Sequence, residues 1–539
     1  MFEEYPRPQM ARRQWWNLCG SWDYAITKTA EKPSFFNGQI LVPFSPETPA
    51  SGVNRKVGPG DWLWYHRRAS FADAPGRVLL HFGAVDQRAV VWVNGVEAGS
   101  HVGGYTPFEM DITDVLDGDR EAEILVCVRD ETEASPLARG KQTTKRGGIW
   151  YTPQSGIWQP VWAEAVPENH IRGLRITPDY DNACVLIEAD PAGTVYFQGR
   201  DYECPARVSV PDFIPWSPEN PHLYDFTVTL GEDRVESYFA MRKFSAEGGK
   251  LCLNNAPYFH NGVLDQGYNP QGLYTYPSDE AMIADITLAK SLGFNTLRKH
   301  IKVEPLRWYY HCDRLGMLVW QDMPSGGGKY NPAVIQLPVV ANVRMKDNKY
   351  RLFARADALG REQYMKELDE MLAALYNCPC IALWVPFNEG WGQFDAVKVR
   401  EHIKALDPTR TVDHASGWHD QGGGETQSLH VYFKPYKYEP DSEGRAVLLS
   451  EFGGYNLRIE DHTFNNKDFG YNRCRDAAEL LEKLKKLYEN EIAPAKKAGL
   501  AAAIYTQLTD VEDELNGFIT YDRELVKLPP DQVRKIIEI

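Results

Sequence analysis

Two short apolar runs, each stopped by a glutamate, constrain this chain more than any other feature. Residues 381–388, Ile-Ala-Leu-Trp-Val-Pro-Phe-Asn, end at Glu389, and residues 446–450, Ala-Val-Leu-Leu-Ser, end at Glu451. Runs of that length without polar alternation read as strands buried on both faces, the pattern of a parallel sheet. In a closed parallel sheet the residues at the carboxyl ends of the strands face the mouth of the barrel. The pattern therefore predicts two carboxylates, distant along the chain, meeting in one pocket.

The flanking sequence fits a barrel. Beyond residue 244, strand-like runs alternate with helical spacing. Ser278 caps a helix with Met282, Ile286 and Ala289 on one face, and Gly293 ends it. Residues 294–298, 317–322 and 501–505 read as further strands. Tyr364, Leu368, Met371, Leu372 and Leu375 form a helical stripe ahead of the Glu389 run. Asp476 and Glu479 make a capping box for the helix of Leu480, Leu484 and Leu487. Strands near 258, 294, 317, 381, 411, 429, 446 and 501 give eight, the count of a (β/α)8 TIM barrel. Glu389 then closes the fourth strand and Glu451 the seventh. The chain between them is too short for two full helices, so helices five and six are predicted as loops.

Upstream the texture is all-β. Residues 78–82, 89–93 and 123–128 are strand-like, and Asn94-Gly95 predicts a hairpin turn. The predicted fold class is multidomain: a jelly-roll β-sandwich over 1–165, an immunoglobulin-like β-sandwich over 166–243, and the barrel over 244–539. The length of 539 residues accommodates three such units.

Charge and cysteine usage exclude several classes. A formal net charge of −15 argues against nucleic acid and anionic membrane as partners. No apolar stretch is long enough to span a bilayer, and residues 1–6 show no basic region leading into an apolar one, so a cytoplasmic location is predicted. The nine cysteines are odd in number and lack metal-type spacing, and Cys378-x-Cys380 is not a redox motif; buried free thiols are expected. His414, His419 and His430 lack a zinc pattern, and Gly326-Gly327-Gly328 is not followed by a phosphate-binding helix. No metal and no cofactor are predicted. Lys346, Lys349 and Arg351, within residues 324–360, suggest a mobile rim with solvated charge. Trp391 and Gln393 are read as pocket lining, with packing beneath the loop an equal alternative for Trp391.

Paired carboxylates suit one chemistry in particular. Cleavage of a glycosidic bond with retention needs one carboxyl to protonate the leaving oxygen and another to attack the anomeric carbon, about 5–5.5 Å apart. Asn388 supplies an amide for a sugar hydroxyl, Arg298 at the end of strand two a guanidinium for Glu451, and Trp418 a ring for stacking. A single strand-end glutamate is more often a structural, salt-bridged carboxylate. Two of them, with Asn and Arg at neighbouring strand ends, favour the catalytic reading.

The chain resembles glycoside hydrolase family 2, the family of β-galactosidases, β-glucuronidases and β-mannosidases, over nearly its whole length. Residues 16–22 (WNLCGSW), 64–68 (WYHRR), 92–95 (WVNG) and 155–162 (SGIWQPVW) look like that family's sugar-binding domain. Residues 293–298 (GFNTLR), 312–320 (CDRLGMLVW), Asn388-Glu389 and 450–453 (SEFG) look like its barrel. The resemblance implies a retaining, exo-acting enzyme with Glu389 as acid/base and Glu451 as nucleophile. It also implies sugar contacts from Arg298 and Asn388, and a hydrogen bond from Tyr432 to the nucleophile. The family's Arg-x-x-His stands here one residue shorter, as Arg298-Lys299-His300, and its strand-eight Trp is replaced around Tyr505-Thr506-Gln507; His300 and Tyr505 are kept as candidate sugar contacts. The Asn-x-Lys signature of β-glucuronidases is absent, with Asn516-Gly517-Phe518 in its place, which argues against glucuronic acid. The expected activity is β-galactosidase-like on an oligosaccharide or glycoside. A β-mannosidase, an arabinose-releasing enzyme and a non-catalytic carbohydrate-binding protein remain as alternatives, and a homo-oligomer is left open.

Overall fold

The computed structural model describes residues 3–341 and 343–538. Met1 and Phe2, part of the segment read above for a leader, lie outside them. Two β-sandwiches precede a parallel barrel. In the first, a six-stranded antiparallel sheet faces a four-stranded one, with Leu80, Phe82, Val91, Val93, Ile124 and Val126 in the shared core. These residues alternate along their strands, and alternation puts every second side chain on the buried face. Asn94 and Gly95 both take positive φ, 50° and 80°, and turn the strand at Val93 back into Val96. That is the primed turn whose twist matches a hairpin. A three-stranded and a four-stranded sheet between Gly173 and Phe239 form the second sandwich.

The barrel strands are β1 (His260–Asp265), β2 (Thr296–Lys299), β3 (Leu318–Asp322), β4 (Ile381–Val385), β5 (Thr411–Val412), β6 (Thr426–Val431), β7 (Ala446–Gly453) and β8 (Ala502–Thr506). They pair in parallel in the order β5-β4-β3-β2-β1-β8-β7-β6. The two-residue β5 is too short to ladder with β6; there the Thr426 hydroxyl donates to the Val412 carbonyl at 3.3 Å instead. No helix follows β5 or β6 before the next strand. Leu264, Trp320, Leu383, Val385, Leu448 and Ile504 fill the interior, and Leu251 from a small hairpin closes the bottom. A packed floor leaves the carboxyl ends of the strands as the open face.

Helix α1 (Asp279–Ser291) starts at Ser278, whose hydroxyl accepts from the Ala281 amide. Helix α2 (Pro332–Ala341) leads out of the barrel mouth, and α3 (Ala358–Leu375) buries its predicted stripe against the barrel. Helix α4 (Ala477–Leu487) is capped by Asp476, but Glu479 turns to the Arg475 amide, so the box is only half made. The segment 324–360 differs from expectation. Lys346, Lys349 and Arg351 are exposed. Asp347, however, is buried and accepts from Gln393 and the Ala396 amide, and buried Arg355 donates to the Gly392 carbonyl. Buried hydrogen bonds to the β4 loop therefore fasten it, where the density of charge had suggested solvent.

Both sandwiches are keyed to the barrel. The amides of Arg139 and Gly140 donate to the Ser325 carbonyl, and Trp158 lies within the barrel's own core. Tyr238 and Trp216 of the second sandwich bond Asp313, at 2.7 and 2.8 Å. The nine cysteines are free, Cys19 and Cys204 half-buried and the others buried. Among the described residues no helix is long and apolar enough to cross a membrane.

Candidate active site

Glu389 follows β4 and takes a left-handed backbone with φ of 51°, its amide donating to the Ser416 carbonyl at 2.9 Å. A glutamate in that conformation is strained by roughly 1 kcal/mol and holds only where its surroundings fix it. Gly390 continues the turn at φ 75°, where a Cβ would stand 2.7 Å from the His419 ring. This turn swings the Glu389 carboxylate over the barrel mouth, whereas Glu451 lies within β7 and reaches the mouth directly.

The two carboxylates meet. One oxygen of each, with Nδ1 or Nε2 of His430, lie within 4.8 Å of one another. His430 Nδ1 is 2.9 Å from Glu389 Oε1 and 3.4 Å from Glu451 Oε2, so one N–H is shared between them. Trp391 Nε1 donates to the other Glu389 oxygen at 3.1 Å. Arg298 donates to Glu451 Oε1 at 3.1 Å, and the Tyr432 hydroxyl donates to Glu451 Oε2. Burial by itself would raise the Glu389 carboxyl, but the hydrogen bond and charge of His430, the Lys141 charge and the Trp391 hydrogen bond hold it below the usual carboxylate range.

Arg298 holds Glu451, as its place at the end of β2 predicts, and its remaining donors are committed as well. Its side chain is fully buried. It donates to both oxygens of Asp322, to the Ser450 carbonyl, to Glu451 and to Asn388 Oδ1, between 2.9 and 3.1 Å. A guanidinium has five N–H donors, and all five are used. No donor remains for a sugar, so Arg298 positions the nucleophile instead of touching substrate. Because Arg298 can only donate, the bond to Asn388 fixes that amide with oxygen inward, and Nδ2 has no hydrogen-bond partner among the described residues.

His300 donates from Nδ1 to Asp322 at 2.8 Å, while its buried Nε2 has no partner among the described residues. Burial lowers its pKa well below the ordinary imidazole value, so the ring is neutral and Nε2 is an acceptor. Tyr432 stacks on Tyr471 at 3.8 Å, which steadies its hydroxyl. Trp418 is half-buried, 6.1 Å from the His430 ring, and lines a cleft of about 1430 Å³ with Trp150, Trp391 and Tyr471.

Tyr505 is a correction. It is buried against Phe452 and Phe518, and its hydroxyl accepts from the Tyr455 amide, so it belongs to the core outside the barrel. The next residue along β8 faces inward, and Thr506 Oγ1 lies 3.0 Å from the Tyr432 hydroxyl. Gln393 is a buried strut, and His419 fastens its loop to α2 through the Val334 carbonyl at 2.7 Å. His414 pairs with Asp420 at 3.1 Å. Asp322, the bridging of the two glutamates by His430 and the role of Trp391 were not anticipated. Residues 428, 430 and 432 alternate along one strand face, and that period ties His430 to Tyr432.

The glutamates and His430 could hold a cation only in competition with Arg298 and Tyr432. His462, Asp522 and Glu524 form a second group with ligand atoms within 4.8 Å of one another.

A parallel eight-stranded barrel with facing glutamates on β4 and β7, preceded by β-sandwiches, is the architecture of a glycoside hydrolase. Comparison with known proteins narrows the class. The model of the TIM barrel domain of glycosyl hydrolases family 2 matches residues 245–451, and a second model of the family matches 186–242. The chain belongs to glycoside hydrolase family 2. A β-galactosidase of Leuconostoc mesenteroides is 23% identical over 530 residues, covering 87% of this chain and 46% of that protein. A β-glucuronidase of Rattus norvegicus is 24% identical over 411 residues, covering 66% and 59%. The chain thus spans about half the length of these relatives. A solved β-galacturonidase of Eisenbergiella tayi, bound to galacturonate, shares the fold with a TM-score of 0.73 at 19% identity, covering 100% of this chain and 99% of that one.

Proposed function

We propose that the protein is a retaining, exo-acting β-glycosidase that releases a terminal non-reducing sugar by double displacement. The observation that carries this reading is the separation of Glu389 and Glu451, whose facing oxygens lie within 4.8 Å. Inverting enzymes part their carboxylates by about 6.5–9.5 Å to admit a water, and retaining ones hold them near 5–5.5 Å. A Glu451 oxygen bonds the anomeric carbon while Glu389 protonates the departing oxygen. Glu389 then takes a proton from water as the water attacks and the bond to Glu451 breaks. Arg298 and Tyr432 each hold one oxygen of Glu451, which keeps it aligned through both steps.

A galactoside is the first reading for the glycone, because the Asn-x-Lys pattern is missing; Asn516 turns instead to Glu514 at 2.9 Å. A uronide is the second, favoured by the Lys141 charge beside Glu389. A panel of nitrophenyl β-D-galactosides, glucuronides, galacturonides, mannosides and arabinosides tests the proposal. Turnover of at least one by the native protein, lost in Glu389→Gln, is expected. Binding of sugars with no turnover of any would favour the non-catalytic alternative.

Glu389 must be protonated for the first step, and hydrogen bonds to its charged form oppose that. Trp391→Phe removes one such bond. Its loss raises the Glu389 pKa, and a general acid of higher pKa stays protonated to higher pH. The alkaline limb of the kcat/KM profile is therefore expected to move upward, by about one pH unit for a charged hydrogen bond of about 1.5 kcal/mol. An unmoved or downward-shifted limb would count against Glu389 as the acid.

A further inference from the structure

Lys141 belongs to the first sandwich, yet it is delivered to the barrel mouth. The chain around it is pinned on both sides. Arg139 and Gly140 donate their amides to the Ser325 carbonyl, and residue 138 bridges to Gly326. Gly140 packs so closely that a Cβ there would stand 2.9 Å from the carbonyl of Ile301, the residue after His300. Its φ of 61° also favours glycine. On the other side Gln142 is buried and bonds the Tyr105 hydroxyl at 2.9 Å, and the Lys141 carbonyl accepts from the Tyr151 amide at 3.0 Å.

With its backbone clamped, the side chain of Lys141 runs past Tyr151, its ammonium 6.0 Å from the ring centre. It is half-buried, and among the described residues it has no ion pair or hydrogen bond. Nearby lysines are otherwise paired: Lys299 binds Asp265 and Glu304, and Lys302 binds Glu304. After burial, the Lys141 charge opposes protonation of His300, and it helps to hold the Glu389 carboxyl down. The Lys141 backbone stands at the carboxyl end of β2, one residue from the Gly140 contact with Ile301 and so beside His300.

We propose that Lys141, carried by the sandwich domain, is a glycone-binding residue whose ammonium donates to a hydroxyl or carboxylate oxygen of the sugar in the barrel site. The inference rests on the glycosidase reading and adds to it: the barrel alone is an incomplete binding site. A three-donor ammonium and a neutral imidazole acceptor at one edge form a complementary pair for sugar oxygens. Arg298, with no donor to spare, leaves that task to Lys141.

The test compares native protein with Lys141→Met and Lys141→Arg on nitrophenyl β-galactoside and β-galacturonide, with galactose and galacturonate as competing ligands. Lys141→Met is expected to lower kcat/KM about 10- to 100-fold, the worth of a charged hydrogen bond. It should weaken inhibition by the matching free sugar, with partial recovery in Lys141→Arg and an unchanged unfolding midpoint. A loss confined to the galacturonide pair assigns the contact to a carboxylate, and a loss confined to the galactoside pair assigns it to a hydroxyl. Retention of kcat/KM and inhibition within about threefold of native on both pairs would overturn the proposal. So would a lower kcat with unchanged sugar binding, since the lysine would then act only through Glu389. If native protein turns over neither of these nor any other glycoside of the panel above, the glycosidase reading fails separately, and calorimetric binding of the two sugars still decides the role of Lys141.

Discussion

Glu451→Gly is expected to lower kcat by at least about 10⁴-fold on whichever glycoside the native protein hydrolyses, the scale seen when a covalent nucleophile is removed. The loss comes from the nucleophile itself, because the partners Arg298 and Tyr432 remain in place. Removing the carboxylate leaves a gap beside the anomeric carbon that a small anion can enter. Azide should therefore restore turnover of an activated aryl glycoside and yield the α-glycosyl azide, formed by a single inversion. Glu389→Ala should respond oppositely. Its intact nucleophile forms the glycosyl-enzyme with a good leaving group, and azide then attacks from the other face to give the β-azide. The same azide anomer from both variants would mean that the two roles have not been correctly divided.

The second large effect concerns Arg298. Arg298→Met removes the one cation that binds Asp322, Asn388 and Glu451 together. The charged groups Arg298, Asp322 and Glu451 have side-chain exposures of 6% or less. Breaking one member of a buried ionic set leaves carboxylates uncompensated and costs about 3–5 kcal/mol. The unfolding free energy of the barrel is expected to fall by that amount, which moves its transition to lower denaturant. The folded fraction should lose at least about 100-fold in kcat/KM as Glu451 loses its alignment. A second change, Asp322→Asn, removes one orphaned charge and should restore part of the stability with none of the activity. Near-native stability in the single variant would contradict the structural role assigned to Arg298.

Much of the fold could be read from the chain because the barrel's apolar runs are uninterrupted. Residues 381–385 and 446–450 have no other stable place than a sheet covered on both faces. The brevity of the chain between them also foretold the missing helices. The site was legible where a side chain lies at a strand end, as with Glu451, Asn388 and His300. It was less legible where a partner decides the role. Arg298 has the composition of a sugar-binding arginine, and only the count of acceptors around it reveals that nothing is left to give. Tyr505 was misread because strand parity chooses its neighbour Thr506 for the interior. Lys141 and Trp150 could not be assigned from spacing, since they reach the site through docking of a sandwich loop more than a hundred residues upstream.

The measurement closest to the central claim is the anomeric form of the sugar first released, followed by proton NMR before mutarotation sets in. With the carboxylates of residues 389 and 451 this close, a β-glycoside should release its sugar first as the β-anomer. First appearance of the α-anomer would mean that water, not Glu451, attacks the anomeric carbon, and double displacement at this site would be excluded.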